Sequence, residues 1–483
     1  MKHLLAVLAG CALLTNQWVR AEDAAPAATA TNSLFRKVIL DEDQLVNGQV
    51  EDTLTDPMEL AVADDGRVFY AERGGTVKMW SPKTKAVTVI GKISVFTGLE
   101  DGLLGMTLDP KFLKNGWIYF YHSLPETGAD ADGKKTGTNR LSRLTLNGGS
   151  LDMASEKPLL DVGTQREQCC HAGGSVSFDA KGNLYVSAGD NTNPFESDGY
   201  APIDERPGRS PWDAQKSSAN ANDLRGKILR IHPENDGTYT IPKGNLFKPG
   251  TAGTRPEIYV MGDRNPFRIS LDRKNGFLYW GEVGPDAGGF NEVRGPAGFD
   301  EINQARTAGN FGWPYFVGDN KPYWHWDFVA KTNTFKYDPA KPVNTSPFNT
   351  GIHELPPAQP AFIYYPSGAS TKFPVVKTGG RTAMAGPVYY FSKKLKSSNR
   401  LPESFDHTLF IYEWSRNWII AVHLDKDEKI LKMEPFCAEM DFKRPMDMEL
   451  GPDGCLYIIE WGTAWGNNKD TKIIRLEYIG GEK

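Results

Sequence analysis

Residues 174–190 read GSVSFDAKGNLYVSAGD. Apolar side chains alternate on both sides of a DAKGN turn, and the second run carries a tyrosine, which is the pattern of a β-hairpin. The same pattern recurs five times. It appears as MELAVADDGRVFYAE from Met58, GMTLDPKFLKNGWIYFYHS from Gly105, FRISLDRKNGFLYWGE from Phe267 and MDMELGPDGCLYIIEWG from Met446. A degenerate copy, GPVYYFSKKLKSSNRLPESFDHTLFIYE, begins at Gly386. A single hairpin cannot bury both of its faces, so the copies must stack on one another. The spacing predicts an all-β fold, a six-bladed β-propeller with long inserted loops. Four-stranded blades recur every 40 to 50 residues, whereas the hairpins here spread to roughly 70 to 120 in the middle of the chain. The excess is assigned to insertions at 190–224, 286–299 and 315–383, where binding groups collect on a rigid scaffold.

The bulk composition agrees with this reading. The chain has 483 residues, 49 glycines and 32 prolines, which suits a turn-rich β protein. A net charge of -5 argues against a nucleic-acid partner, because phosphate binding rests on a surplus of lysine and arginine.

The first 21 residues read as a signal peptide: Lys2 and His3 precede an apolar run over 4–14 that is too short to span a bilayer, and VRA at 19–21 offers a cleavage site. Residues 22–35 read as a disordered leader and 36–483 as one propeller domain. A competing reading takes LAGC, ending at Cys11, as a lipid-attachment box. Either way the expected location is periplasmic or secreted. In an oxidising compartment the remaining cysteines at 169, 170, 437 and 455 invite pairing. Cys437 with Cys455 is a plausible disulfide. Cys169 and Cys170 either close a ring with each other or are two small buried side chains.

In a propeller, the residues just ahead of each first strand face the central channel. Four such stretches carry polar groups beside glycine or proline: EDGLLG at 100–105, CHAGG at 170–174, GDRNP at 262–266 and KRP at 443–445. His171 by itself reads as a structural histidine, and Arg264 and Arg444 by themselves as surface ion-pair residues. Together with Glu100 at equivalent repeat positions, they read as one site. Several arginines in a channel suit a ligand with several carboxylates, since a guanidinium matches a carboxylate with two parallel hydrogen bonds. The stretch WGEVGPD at 280–286 allows two readings. Its backbone carbonyls can face a hard cation such as calcium, or it is an ordinary proline turn capped by Asp286. No EF-hand loop is present, because DNTNP at 190–194 has the wrong spacing.

Taken in order, GLLGMTLDPKF, CHAGGSVSFDAKGNLYVSAGD, RGKILRI with DGTYTIPKGN, MGDRNPFRISLD, GEVGPD and FDEINQARTAGNFGWP resemble the glucose/sorbosone dehydrogenase family, over roughly residues 50 to 475. These soluble sugar dehydrogenases use pyrroloquinoline quinone (PQQ). The resemblance implies a six-bladed propeller holding the quinone and calcium in its channel. It implies His171 as catalytic base, Asp190 as the carboxylate that orients it, and Arg264 with Asn265 as quinone contacts. It also implies Gly284 and Pro285 as carbonyl ligands of calcium, and Arg444 as a holder of the quinone carboxylates. The chain departs from the family at several of these positions. Glu100 stands in place of a glutamine, Cys170 in place of an acidic residue, and Met446 in place of a second arginine. Ser415 and Arg416 occupy the place of a cofactor lysine. A Cys169–Cys170 ring would be flat enough to pack over the quinone plane, as adjacent cysteines do in other quinoproteins.

On this reading His171 takes the proton of a sugar hydroxyl, Asp190 fixes its tautomer, and Arg264 with calcium stabilises charge on the reduced quinone. The absence of C-x-x-C-H requires a separate electron acceptor, a cytochrome or a small quinone. The aromatic stretch YWHWDF at 323–328 is either a sugar-stacking wall or a lid on the rim. Two rival functions share the scaffold: a calcium-dependent lactonase or similar hydrolase, and a non-catalytic propeller that binds a glycan or a protein.

Overall fold

A computed structural model describes residues 34–464 and 468–480. The signal peptide, Cys11 and nearly all of the expected leader lie outside the described residues.

Six sheets follow one another along the chain, four of them four-stranded and antiparallel, while those of the second and third blades carry additional strands, one of them paired in parallel. The first strands are Pro57–Val62, Leu103–Leu108, Gly173–Phe178, Pro266–Leu271, Ala383–Tyr389 and Pro445–Leu450, and each touches the next, the sixth closing on the first. This is the expected six-bladed propeller. The second strands, among them Val68–Glu72, Leu184–Ala188, Leu278–Glu282, Thr408–Glu413 and Leu456–Glu460, are buried along their whole length, because a blade's middle strands are covered by neighbouring blades on both faces. This explains why LYVSA and LYIIE are almost continuously apolar while the first strands alternate.

Three features differ from the sequence reading. The ring is closed by Phe35–Glu42, which pairs antiparallel with Lys472–Tyr478 as the outer strand of the sixth blade, so Phe35 belongs to the domain rather than the leader. The insertion assigned to 315–383 contains Ile363–Tyr365, the outer strand of the fourth blade, whose short length hid it. The fifth blade starts at Ala383 rather than Gly386, because a bulge between Ala385 and Val388 breaks its alternation.

The inner strands approach very closely. A Cβ added to Gly105 would sit 1.9 Å from the Gly174 carbonyl oxygen, and one added to Gly281 would sit 2.1 Å from that of Ala383. At the axis, the fully buried Arg268 spans the ring. Its guanidinium donates to the carbonyls of Met58, of Met446 at 3.1 Å and of Phe267 at 2.8 Å. Glu59 accepts from the Met106 amide at 2.7 Å and from the Ser175 hydroxyl, and Asp447 accepts from the Leu60 amide at 2.8 Å. Five of the six first strands are thus joined through three buried charged side chains. Burial raises the pKa of both Glu59 and Asp447, and Arg268 pulls each back down.

Replacing Arg268 by Met should lower unfolding stability by about 3–5 kcal/mol, as expected when one partner of a buried ion network is lost. Raised carboxyl pKa values mean that the folded state binds more protons than the unfolded one. Their cost is therefore absent when they are protonated and grows as pH rises through the folded pKa. The loss in Arg268→Met should be larger at about pH 8 than at about pH 5, measured by denaturant unfolding at both.

Candidate active site

The site is built from a device that repeats around the ring. In four blades the second strand ends in a buried glutamate, Glu72, Glu282, Glu413 or Glu460, that accepts backbone N–H groups from residues just ahead of the first strand of the same blade. Glu72 accepts from Thr55 at 3.1 Å, and Glu460 from Lys443 at 3.1 Å. Glu282 accepts from Arg264 at 2.8 Å and Asn265 at 2.5 Å, and Glu413 from Thr382. In the second blade the Ser123 hydroxyl does the same for Gly102, at 3.2 Å. These bonds satisfy amides that turn into the channel and would otherwise be buried without partners.

The third blade breaks the pattern. Ala188 stands opposite Gly173 where four other blades have their glutamate, and the carboxylate comes two residues later as Asp190. Instead of an amide it holds an imidazole: Asp190 Oδ1 lies 2.6 Å from His171 Nδ1. Asp190 is fixed in turn by the Trp313 indole N–H at 2.8 Å on Oδ2 and the Thr192 amide at 2.9 Å on Oδ1. With Nδ1 as the donor to a carboxylate, the tautomer leaves Nε2 as the acceptor. His171 itself has φ 65°, anchored by its amide to Glu100 Oε2 at 2.6 Å. Glu100 also accepts from the Ala172 amide at 3.2 Å, so one carboxylate orients the whole turn that carries the histidine.

His171 lines a cavity of about 470 Å³ at the channel mouth, together with Glu100, Cys170, Arg264 and Asn265. Cys169 and Cys170 are joined as a vicinal disulfide. Arg264 is buried, donates to the Val283 carbonyl at 2.7 Å and lies 5.9 Å from the Trp313 ring. Asn265 accepts from the Gly173 amide at 3.0 Å, which ties the arginine-bearing turn to the histidine-bearing one. Met58, Phe267 and Met446 line the same cavity, and their carbonyls are the three held by Arg268. The floor of the site is therefore the top of the axial network.

Other expected positions fall elsewhere. Arg416 is not a cavity residue. Its guanidinium donates to the carbonyls of Gly380 at 2.6 Å, Val376 and Lys377 at 2.9 Å and Pro366 at 2.8 Å, and so clamps the loop ahead of the fifth blade. Arg444 lies over the indoles of Trp414 and Trp461, 4.4 and 5.7 Å from their centroids, with Nη1 on the Ala464 carbonyl at 2.7 Å. Those two indoles, not Arg444, line the cavity. Cys437 and Cys455 are free buried thiols rather than a disulfide, each packed in the core around the sixth blade. The aromatic stretch at 323–328 does not line the cavity: Trp326 and Phe328 lie against Tyr200, 6.0 and 4.9 Å between centroids, and Pro194 and Phe195 of the preceding insertion line it instead. The Pro285 carbonyl, expected on calcium, accepts the Arg381 guanidinium at 2.6 Å. Arg73 and Arg381 both line the cavity and were missed. Arg381 occupies the place two residues ahead of the first strand that His171 and Arg264 occupy in their blades; the degenerate fifth repeat concealed it.

A glucose/sorbosone dehydrogenase family model matches residues 54–350, which contain the histidine, its carboxylate and both site turns. The chain belongs to the glucose/sorbosone dehydrogenase family. Within it, the chain is 25% identical over 426 residues to the aldose sugar dehydrogenase YliI of Escherichia coli, covering 86% of this chain and 90% of that protein. It is 23% identical over 465 residues to quinoprotein glucose dehydrogenase B of Acinetobacter calcoaceticus, covering 91% and 92%. The fold is also that of the PQQ-bound aldose sugar dehydrogenase of Streptomyces coelicolor, at a TM-score of 0.55 and 18% identity, covering 92% of this chain and 98% of that one.

Two outcomes test these assignments. In a chain lacking the first 21 residues, denatured without reductant, a thiol reagent should titrate two cysteines, Cys437 and Cys455, and reduction should expose two more. Arg416→Ala should lower unfolding stability by about 1–3 kcal/mol, through loss of the loop clamp, and should leave ligand affinity in the cavity nearly unchanged.

Proposed function

We propose that this glucose/sorbosone dehydrogenase family member is an exported quinoprotein that oxidises a hydroxyl group of an aldose or similar sugar with PQQ, and passes the electrons to a separate acceptor. The observation that carries the reading is the His171–Asp190–Trp313 chain on the wall of a cavity that also presents Arg264. Membership in the family and the similarity to a quinoprotein glucose dehydrogenase support the substrate and cofactor class.

The residues present fit the quinone. Arg73, Arg264 and Arg381 put three guanidinium groups on the cavity lining as donors for a polycarboxylate, their charge offset by Asp56, Glu100 and Asp286, and Arg381 Nη1 is buried without a hydrogen-bond partner. The indoles of Trp414 and Trp461 and the Cys170 side of the disulfide offer flat, polarisable walls for a planar ring system. When bound, the quinone supplies the two-electron sink for the hydrogen on the carbinol carbon.

The chain does the rest. His171 Nε2 takes the hydroxyl proton, and Asp190 stabilises the resulting imidazolium through Nδ1–H while keeping the ring in the correct tautomer. The Trp313 N–H and the Thr192 amide hold Asp190 stationary, so no side chain must reorganise as charge moves. Arg264 is immobilised by Glu282 and the Val283 carbonyl and stabilises negative charge facing it in the cavity. Phe195 and Pro194 restrict access at the mouth. Export is supported by the apolar amino-terminal run and by the vicinal disulfide, which suits an oxidising compartment. No C-x-x-C-H occurs in the sequence, so the electrons leave to a partner, a cytochrome or a soluble quinone.

Adding PQQ to purified protein should shift the quinone absorbance and support dye reduction with a panel of aldoses. His171→Ala should reduce kcat by about 10²–10⁴-fold while leaving the quinone titration in place. An unchanged spectrum at saturating quinone would overturn the proposal.

A further inference from the structure

The calcium site implied by the family does not fit this chain, and the misfit has a specific cause. Arg381 Nη2 donates to the Pro285 carbonyl at 2.6 Å. The Arg381 side chain is 5% exposed and lies between two carboxylates, with Nη1 3.6 Å from Asp300 Oδ1 and Nη2 3.6 Å from Asp286 Oδ1. Asp300, fully buried, fixes the arrangement from below: Oδ1 accepts from the Gly284 amide at 3.0 Å and Oδ2 from the Ala383 amide at 2.9 Å. The turn that carries the expected metal ligands is therefore stitched to the strand that follows Arg381. Burial raises the Asp300 pKa to about 6, with Arg381 the main opposing influence.

A calcium ion gathers several oxygens at close range, typically including carboxylates. Here one of the two expected carbonyls already holds a cationic donor, and a divalent ion on it would lie within a few ångströms of a guanidinium, where repulsion in a buried setting is strong. The Arg381 Nη1 group, buried and without a hydrogen-bond partner, belongs to a side chain that lines the cavity. Its ion pair with Asp300 at 3.6 Å is too long for a hydrogen bond, and an anionic oxygen of a bound ligand would supply one to this guanidinium.

We propose that the Arg381 guanidinium takes the place of the divalent cation at the Gly284–Pro285 turn, so that an anionic cofactor is held in this cavity without calcium. The inference rests on the proposed quinone reading for its ligand, and on hydrogen-bond geometry alone for its cation.

The test uses the full chain, with PQQ as the probe and absorbance titrations in excess chelator and in excess calcium. Wild type should bind the quinone equally in both. Arg381→Ala should lose at least about tenfold in affinity in chelator, with Arg381→Lys intermediate because it keeps the charge but not the fork. A wild-type affinity that falls about tenfold or more on chelation, or an Arg381→Ala protein that matches wild type in chelator, overturns the proposal. If no quinone binds under any condition, the proposed function fails, and the cation assignment is decided separately by the thermal shift that calcium produces in the apo-proteins. A shift greater in wild type than in Arg381→Ala then overturns it; equal shifts, no shifts, or a greater shift in the variant uphold it.

Discussion

The guanidinium of Arg268 is the constraint on which the rest of the molecule depends. Inner strands that converge on an axis leave carbonyls and amides facing one another with little room for side chains or water. Each such group must be paired inside the protein. One planar cation pairs carbonyls of three strands, and with Glu59 and Asp447 beside it the network joins five strands at once. Its charge keeps two buried carboxylates in place, and their oxygens in turn hold amides of the first, second and third blades. The carbonyls it fixes belong to Met58, Phe267 and Met446, whose side chains form the cavity floor, so the element that closes the ring also sets the shape of the site.

The site itself is a small modification of a structural motif. Around the ring, a strand-terminal acceptor ties down the amides that precede the first strand. Moving the carboxylate by two residues in the third blade, from the position of Ala188 to Asp190, turns an amide latch into an imidazole latch. The scaffold already supplies rigidity and exclusion of solvent, so the change in chemistry requires only a histidine two residues ahead of the strand and an indole behind the carboxylate. The same offset places Arg264 and Arg381 on the cavity wall in the next two blades.

Charge balance explains how Glu100 can stand where an uncharged amide was expected. Its carboxylate is not directed at a ligand alone; it accepts the His171 and Ala172 amides and so serves the turn. Asp56, Glu100 and Asp286 share the cavity with Arg73, Arg264 and Arg381, which leaves the acidic and basic groups in rough balance before any ligand enters.

The sequence by itself determined the blade count, the β class and the polar turns that converge on the channel, because hairpin periodicity and glycine-flanked polar residues are local signals that no packing choice alters. Repeat position also placed His171, Arg264 and Asn265 on one channel, since it translates directly into ring position, and the family resemblance added Asp190. What only the tertiary structure decided was partnership. The pairing of Phe35–Glu42 with the last strand, the service of Arg416 as a loop clamp, the placement of Arg444 behind two indoles, the freedom of Cys437 and Cys455, and the capture of the Pro285 carbonyl by Arg381 all depend on groups far apart in the chain. An arginine's side chain is long enough to reach a ligand, a carbonyl or a ring from the same backbone position, and which of these it finds is settled by the loops that pack around it rather than by its neighbours in sequence.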